Sequence, residues 1–158
     1  MGKKQEQPKP WSPPVAFYFL VEFAKKSEIF DMAFMEVSGL SVEMETEEVE
    51  EGGESRFKYR VPIRQKHGNL VCKRALSPLK DSPLAKWVKT VMDGDFSQKI
   101  QVSNVFISLL DGEGKKISGW FLTGVYPLKW DLSPFDSKKN DLAIETIEFA
   151  YNTIERKL

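Results

Sequence analysis

One cysteine and one histidine in 158 residues leave little for metal binding or nucleophilic catalysis. Cys72 alone closes no internal disulfide, and one His with one Cys cannot assemble a standard zinc site within one chain. Cys72 lies in the alternating stretch Leu70, Val71, Cys72, where a buried thiol acting as a small apolar side chain is expected. His67, in RQKHGN, reads as an exposed loop histidine. Long apolar runs are missing too: nothing approaches the roughly 20 residues of a membrane helix. The opening MGKKQEQPKPWSPP lacks the apolar centre of a signal peptide, so synthesis and assembly in a reducing cytosol are expected. Net charge is also absent. The 23 bases balance 23 acids, which removes any global pull toward nucleic acid or anionic lipid and lowers the barrier to self-association.

Other chemical signatures fail on their details. Gly52-Gly53 is followed by no Gly-Lys-Ser/Thr and reads as a turn, not a P-loop. The clustered glutamates lack the spaced Asp/Asn pattern and turn glycine of a calcium loop. Ser38 has no nucleophile-elbow context. No enzyme, no cofactor and no metal site is therefore expected.

What the chain does have is charge sorted along its length. Seven of residues 43–54 are glutamates with no base among them, while residues 55–80 carry eight Lys or Arg and no acid. Both stretches alternate. Val42, Met44 and Thr46 take one face against Glu43, Glu45 and Glu47; after the Gly-Gly turn, bases alternate with Phe57, Tyr59 and Val61. A hairpin with residues 50–53 as its loop would set Glu47 opposite Arg56, Glu45 opposite Lys58 and Glu43 opposite Arg60. Each such pair is worth roughly 0.2–1 kcal/mol, and a one-residue slip would oppose charge to apolar. Glu48, Glu50, Glu51 and Glu54 would then leave the tip strongly negative. A subunit negative at one end and positive at the other suits head-to-tail association. The candidate assembly surface is thus Glu43, Glu45, Glu47, Glu48, Glu50, Glu51, Glu54, Arg56, Lys58 and Arg60. The bases interleaved with Phe57 and Tyr59 superficially suit single-stranded nucleic acid, but the neighbouring acids would repel phosphate.

Around this hairpin the chain reads as mainly β. Residues 1–14, with four prolines, form an extended arm, and residues 15–158 a single domain. Phe17, Phe19, Val21 and Phe23 recur with a strand's period, and Tyr18 and Leu20 make the opposite face partly apolar too. Further strands are expected at residues 32–37, 69–76, 100–110 and 115–126, the last two joined by Asp111-Gly112-Glu113-Gly114. Residues 141–154 fit a strand or a helix. One flanking helix, about residues 83–93, has Ser82 as N-cap, Pro83 in its first turn, and Leu84, Trp87, Val88 and Val91 on one stripe. The architecture expected is an antiparallel β-sandwich or barrel with that helix packed outside it.

The segments FMEVSGLSVEMETEEVEEGGES, NLVCKRAL, ISLLDGEGKKISGWFLTGVYPLKW and NDLAIETIEFAYNTI resemble, in this order, the contractile-phage tail tube protein family, including inner-tube and tube-initiator proteins of phage-tail-like contractile injection systems. The resemblance covers residues 17–154. It implies hexameric rings, stacked into a rigid tube inside a sheath, with a lumen for DNA or a protein cargo and baseplate hub or spike proteins at one end. It also implies assembly in the bacterial cytoplasm into a phage tail or injection particle, with no membrane anchoring. Members of the family often read L-P-G where this chain has Val61-Pro62-Ile63, and the proline-rich arm is a second departure. Both point toward a specialised baseplate-proximal ring, a tube initiator. The alternative is a monomeric β-barrel binding module for a small ligand or single-stranded nucleic acid.

Overall fold

The computed structural model describes residues 17–25, 28–50, 52–53, 58–94, 99–134, 138 and 142–158, excluding the side chains of Phe17, Lys25 and residues 28–32. The proposed arm, residues 1–14, lies outside the described residues.

Among the described residues, ten strands and one α-helix follow in the order β1 (Phe17–Lys25), β2 (Glu28–Phe34), β3 (Glu36–Ser38), β4 (Glu43–Val49), β5 (Tyr59–Lys66), β6 (Leu70–Ala75), α1 (Pro83–Met92), β7 (Ser103–Asp111), β8 (Lys116–Leu132), β9 (Ile144–Ala150) and β10 (Thr153–Arg156). The main sheet runs β2-β1-β7-β8-β9-β6-β3, with β10 also on β8 and every pairing antiparallel. It folds over because β8 is seventeen residues long: its first half pairs with β7 and β10, its second half with β9. At the opposite corner β2 passes directly into β3, and the Met35 amide donates to the Lys73 carbonyl at 2.9 Å. A continuous stretch of chain therefore turns each corner, which gives a barrel-like sandwich.

Two sequence expectations change here. The single strand expected at residues 32–37 is two strands broken at Met35, because β2 belongs with β1 and β3 with β6. Of the ambiguous residues 141–154, residue 141 lies outside the described residues, 144–150 form β9 and 153–154 begin β10, with a break at Tyr151-Asn152. Alternation decides in favour of strand once one face has a core to enter: Ile147 and Phe149 are fully buried.

The core draws Val21 and Phe23 from β1, Val105 and Ile107 from β7, Leu122 and Val125 from β8, and Leu70 and Cys72 from β6. Helix α1 adds Leu84, Trp87 and Val88. Its N-terminus forms as the sequence dictates: the Ser82 Oγ accepts from the Ala85 amide at 3.1 Å, and Pro83 occupies the first turn. The Trp87 ring meets Phe23 edge-on at 5.8 Å and stacks near Phe149 at 6.1 Å, so the helix is locked to both halves of the sandwich. Cys72 is fully buried, and that burial pushes its thiol well above the ordinary value, leaving it an inert packing group.

Within this apolar interior sits one ionic network. Glu145, 0% exposed, pairs with Arg74, 7% exposed, and accepts from Trp130 Nε1 at 2.9 Å. Arg74 also donates to the helix-capping Ser82 Oγ at 2.8 Å. Its guanidinium lies 5.7 Å from the centre of the Phe34 ring. Strands β6, β8 and β9 and the start of α1 are thereby tied at one point.

Candidate assembly surface

Strands β4 and β5 stand apart from this body. They pair only with each other, as a two-stranded ribbon, and all eight residues of β5 and six of seven in β4 are exposed. A lone two-stranded hairpin is at best marginally stable in water. Its roots are nevertheless held. Tyr151 donates its hydroxyl to the Gly39 carbonyl at 2.9 Å on the incoming side, and burial raises that phenol's pKa, keeping it protonated as a donor. On the outgoing side His67 stacks on the Tyr151 ring at 4.0 Å, 10° from parallel, and its Nε2 lies 3.1 Å from the Asn152 carbonyl oxygen. His67 is therefore not an exposed loop histidine but a half-buried clamp, placed by a tertiary contact 84 residues away in sequence.

The ribbon's register also differs from the sequence expectation. Glu43 lies opposite Lys66, Glu45 opposite Arg64, Glu47 opposite Val61, Glu48 opposite Arg60 and Val49 opposite Tyr59. β4 ends at Val49 and β5 begins at Tyr59, while part of the expected loop, residue 51, and the expected partner positions 54–57 lie outside the described residues. Bases recur along residues 56–66, so a ladder displaced toward Lys66 still matches acids to bases; charge alternation alone cannot choose between such registers. A bulge follows at Ile63, between the pairs Glu45/Arg64 and Thr46/Pro62. Pro62 has no amide to give the ladder, and a bulge is where a strand tolerates it.

Ion pairs follow the observed register. Arg64 Nε reaches Glu45 Oε2 at 2.5 Å, Lys66 reaches Glu43 at 3.9 Å, and Lys58 bridges Glu48 at 3.8 Å and Glu50 at 3.0 Å. Arg60 faces Glu48 across the ladder. Glu47, opposite Val61, makes no ion pair among the described residues. Glu51, Glu54 and Arg56 lie outside the described residues. Arg64 holds the Glu45 carboxyl below its ordinary value of 4.5, first by hydrogen bonding and then by charge. A depressed acid contributes to folding at neutral pH and loses that contribution as pH falls through its lowered pKa. Carboxyl NMR titration should thus find Glu45 titrating below 4.5. Arg64→Ala should return its midpoint to the ordinary range, and an unmoved midpoint would refute the pairing.

The bulge has a further effect, on the apolar side chains. Opposed residues share a face, and β4 alternates without interruption. One face therefore carries Glu43/Lys66 and Glu45/Arg64 near the root, then Glu47/Val61 and Val49/Tyr59 toward the tip. The other carries Met44/Gln65 and Thr46/Pro62, with Ile63 beside them, near the root and Glu48/Arg60 toward the tip. Each face is charged at one end and apolar at the other. Met44, Val49, Tyr59, Val61 and Ile63 are between 43% and 56% exposed, far more apolar surface than a free ribbon needs. Sequence reading missed Met44, Val49 and Ile63 as surface groups; the period-two run Tyr59, Val61, Ile63 was the available signal.

Among the described residues no three His, Cys, Asp or Glu side chains converge to hold a metal ion, and no helix is long and apolar enough to cross a membrane. The chain is a barrel-like sandwich that extends an exposed, half-apolar ribbon. Residues 15–155 match the model of the T4-like virus tail tube protein gp19 family, and the chain belongs to that family.

Solved structures agree. A chain of the anti-feeding prophage baseplate, six-fold symmetrised, is 30% identical over 93% of this chain and 97% of that one, with a TM-score of 0.81. The anti-feeding prophage tube-terminating cap matches at 18% identity over 99% of both chains, TM-score 0.76. The sheath/tube terminator of the PVC extracellular contractile injection system matches at 20% identity, covering 94% and 98%, TM-score 0.74. The last two speak for the fold alone. No curated protein sequence matches the chain. Its role is structural, as a tube component of a contractile tail or injection particle.

Proposed function

We propose that six copies close into a ring, that rings join coaxially into the inner tube of a contractile apparatus, and that the β4–β5 ribbon is the element joining copies. The observation that carries this is the ribbon itself. It is a two-stranded sheet with exposed apolar side chains on both faces. Burial against a neighbour supplies the missing stabilisation, while the acids at its tip orient the approach. The ten charged positions from Glu43 to Arg60 then serve mainly to fix ribbon geometry and steer docking, and the apolar halves hold. The lumen conducts DNA or a protein cargo, and the chain performs no catalysis.

Ile63→Asp tests this. Ile63 is 56% exposed, so the monomer's unfolding free energy should stay within the roughly 0.5 kcal/mol of ordinary surface changes, read by urea denaturation. Ring and tube formation should fall about thirtyfold or more, the loss of an interface hot spot worth about 2 kcal/mol. Size-exclusion with light scattering and negative-stain imaging read both quantities. Rings as abundant as the parent's would refute the ribbon's role.

A baseplate-proximal position, as tube initiator, is favoured by one observation. Identity is 30% to a chain of the anti-feeding prophage baseplate but 20% to one from the PVC sheath-tube complex. An arm over residues 1–14 would give such a ring an added contact with hub or spike. Counting copies in an intact particle decides: one ring's worth means initiator, many mean the repeating subunit.

A further inference from the structure

The ribbon has a matching surface elsewhere on the same molecule. Just past the end of β6, a cleft of ≈ 400 Å³ is lined by Leu76, Ser77, Pro78, Leu79, Ala85 and Trp130. Its walls are almost wholly apolar, and Leu76 and Leu79 are each 41% exposed. The Ser77 Oγ in that lining has no hydrogen-bond partner. Lys80 and Lys86 sit beside the lining residues in sequence, are exposed, and have no ion pair among the described residues; the one acid in that segment is Asp81.

We infer that this cleft is the seat for the ribbon tip of a second copy of the chain, with Glu47 answering Lys80 and Lys86. This rests on the tube reading and specifies its contact. The tip patch of Val49, Tyr59 and Val61 shares its ribbon face with Glu47. An acid set among apolar groups thus meets an apolar cleft whose lining residues Leu79 and Ala85 are followed directly in the chain by exposed bases, the complementarity a docking pair requires. Val49, Tyr59 and Val61 on the ribbon and Leu76 and Leu79 at the cleft are all exposed in the single chain. The ribbon leaves from the Leu70 end of β6 and the cleft lies past the Ala75 end, about 17 Å away at the usual rise of a strand. Two different patches on one molecule, each fitting the other, make a heterologous contact, which closes into rings or continues as a filament. An isologous pair would stop at two.

A thiol pair tests the contact directly. Val61→Cys and Leu79→Cys are introduced together, and Cys72, being buried, leaves the two engineered thiols as the reactive ones. Under mild oxidation of assembled material, disulfides between copies should appear on a non-reducing gel, and neither single variant should give more than dimers. Charge exchange supplies a second readout. Glu47→Lys alone should weaken assembly about tenfold or more by setting like charges together. Combining it with Lys80→Glu and Lys86→Glu should restore assembly, a rescue that a purely structural role for Glu47 would not produce. Parent tubes that form normally while the thiol pair stays unlinked and the reversal is not rescued overturn this seat and leave the tube reading intact. A parent that forms neither rings nor tubes, under conditions where an intact particle also lacks the chain, overturns both.

Discussion

Glu145→Ala should cost the monomer about 3–5 kcal/mol, the penalty for leaving one member of a buried ion pair without its partner. Glu145 is fully enclosed and Arg74 nearly so, which leaves the guanidinium little solvent to replace the lost carboxylate. The loss spreads beyond the pair. Trp130 Nε1 forfeits its acceptor, and Arg74, which also holds the Ser82 Oγ at the start of α1, is freed to move. Replacing both charges together, Arg74→Met with Glu145→Leu, should recover a large part of the loss, because no unpaired charge then remains. Urea denaturation of the three variants provides the measurement. A Glu145→Ala protein within about 1 kcal/mol of the parent would mean the network is solvated in solution and the interior is not as described.

Gly39→Ala should be at least as damaging, through the backbone. Gly39 has φ +88°, a conformation whose cost to a residue with a side chain is about 1–2 kcal/mol. Space is the harder limit: an added Cβ would stand 1.9 Å from the Asn69 carbonyl oxygen, which belongs to backbone and cannot rotate aside. Relief requires parting the chain where the two roots of the ribbon cross, and the Tyr151 bond to the Gly39 carbonyl goes with it. The expected destabilisation lies at or beyond the roughly 3 kcal/mol upper end of ordinary substitutions. Gly68→Ala is the control. It lies in the outgoing root, nothing stands within 4 Å of its added Cβ, and its φ is outside the strained range, so its effect should be small. Equal thermal melts for the two variants would dismiss the crossing as a constraint.

Both substitutions fall on residues the sequence displays but does not explain. Glu145 alternates with Ala143, Ile147, Phe149 and Tyr151 on a strand's inner face, and a period-two reading records it as an acid in an apolar row. Its partner Arg74 is 71 residues away, across the β6–β9 pairing. Gly39 reads as a turn residue after Ser38; that it passes beneath Asn69 follows from where β6 begins. The ribbon gives the same lesson at higher resolution. Its acid and base strands, their exposed alternation and the Gly-Gly turn are legible, since each is local. Its register is not, because several alignments of a repeating charge pattern have nearly equal energy, and the bulge at Ile63 beside Pro62 decides among them.

Sequence alone therefore determined the strand periods, the capped helix with its apolar stripe, and the ordered segments that resemble tail tube proteins. These depend on neighbouring residues, where propensity, alternation and capping act within a few positions. The folded chain alone decided that β8 belongs to both halves of the sandwich, that His67 and Tyr151 hold the ribbon's roots, and that the bulge divides each ribbon face into a charged and an apolar half. Those outcomes arise from contacts between residues far apart in the chain, whose energies exist only once the core has brought them together.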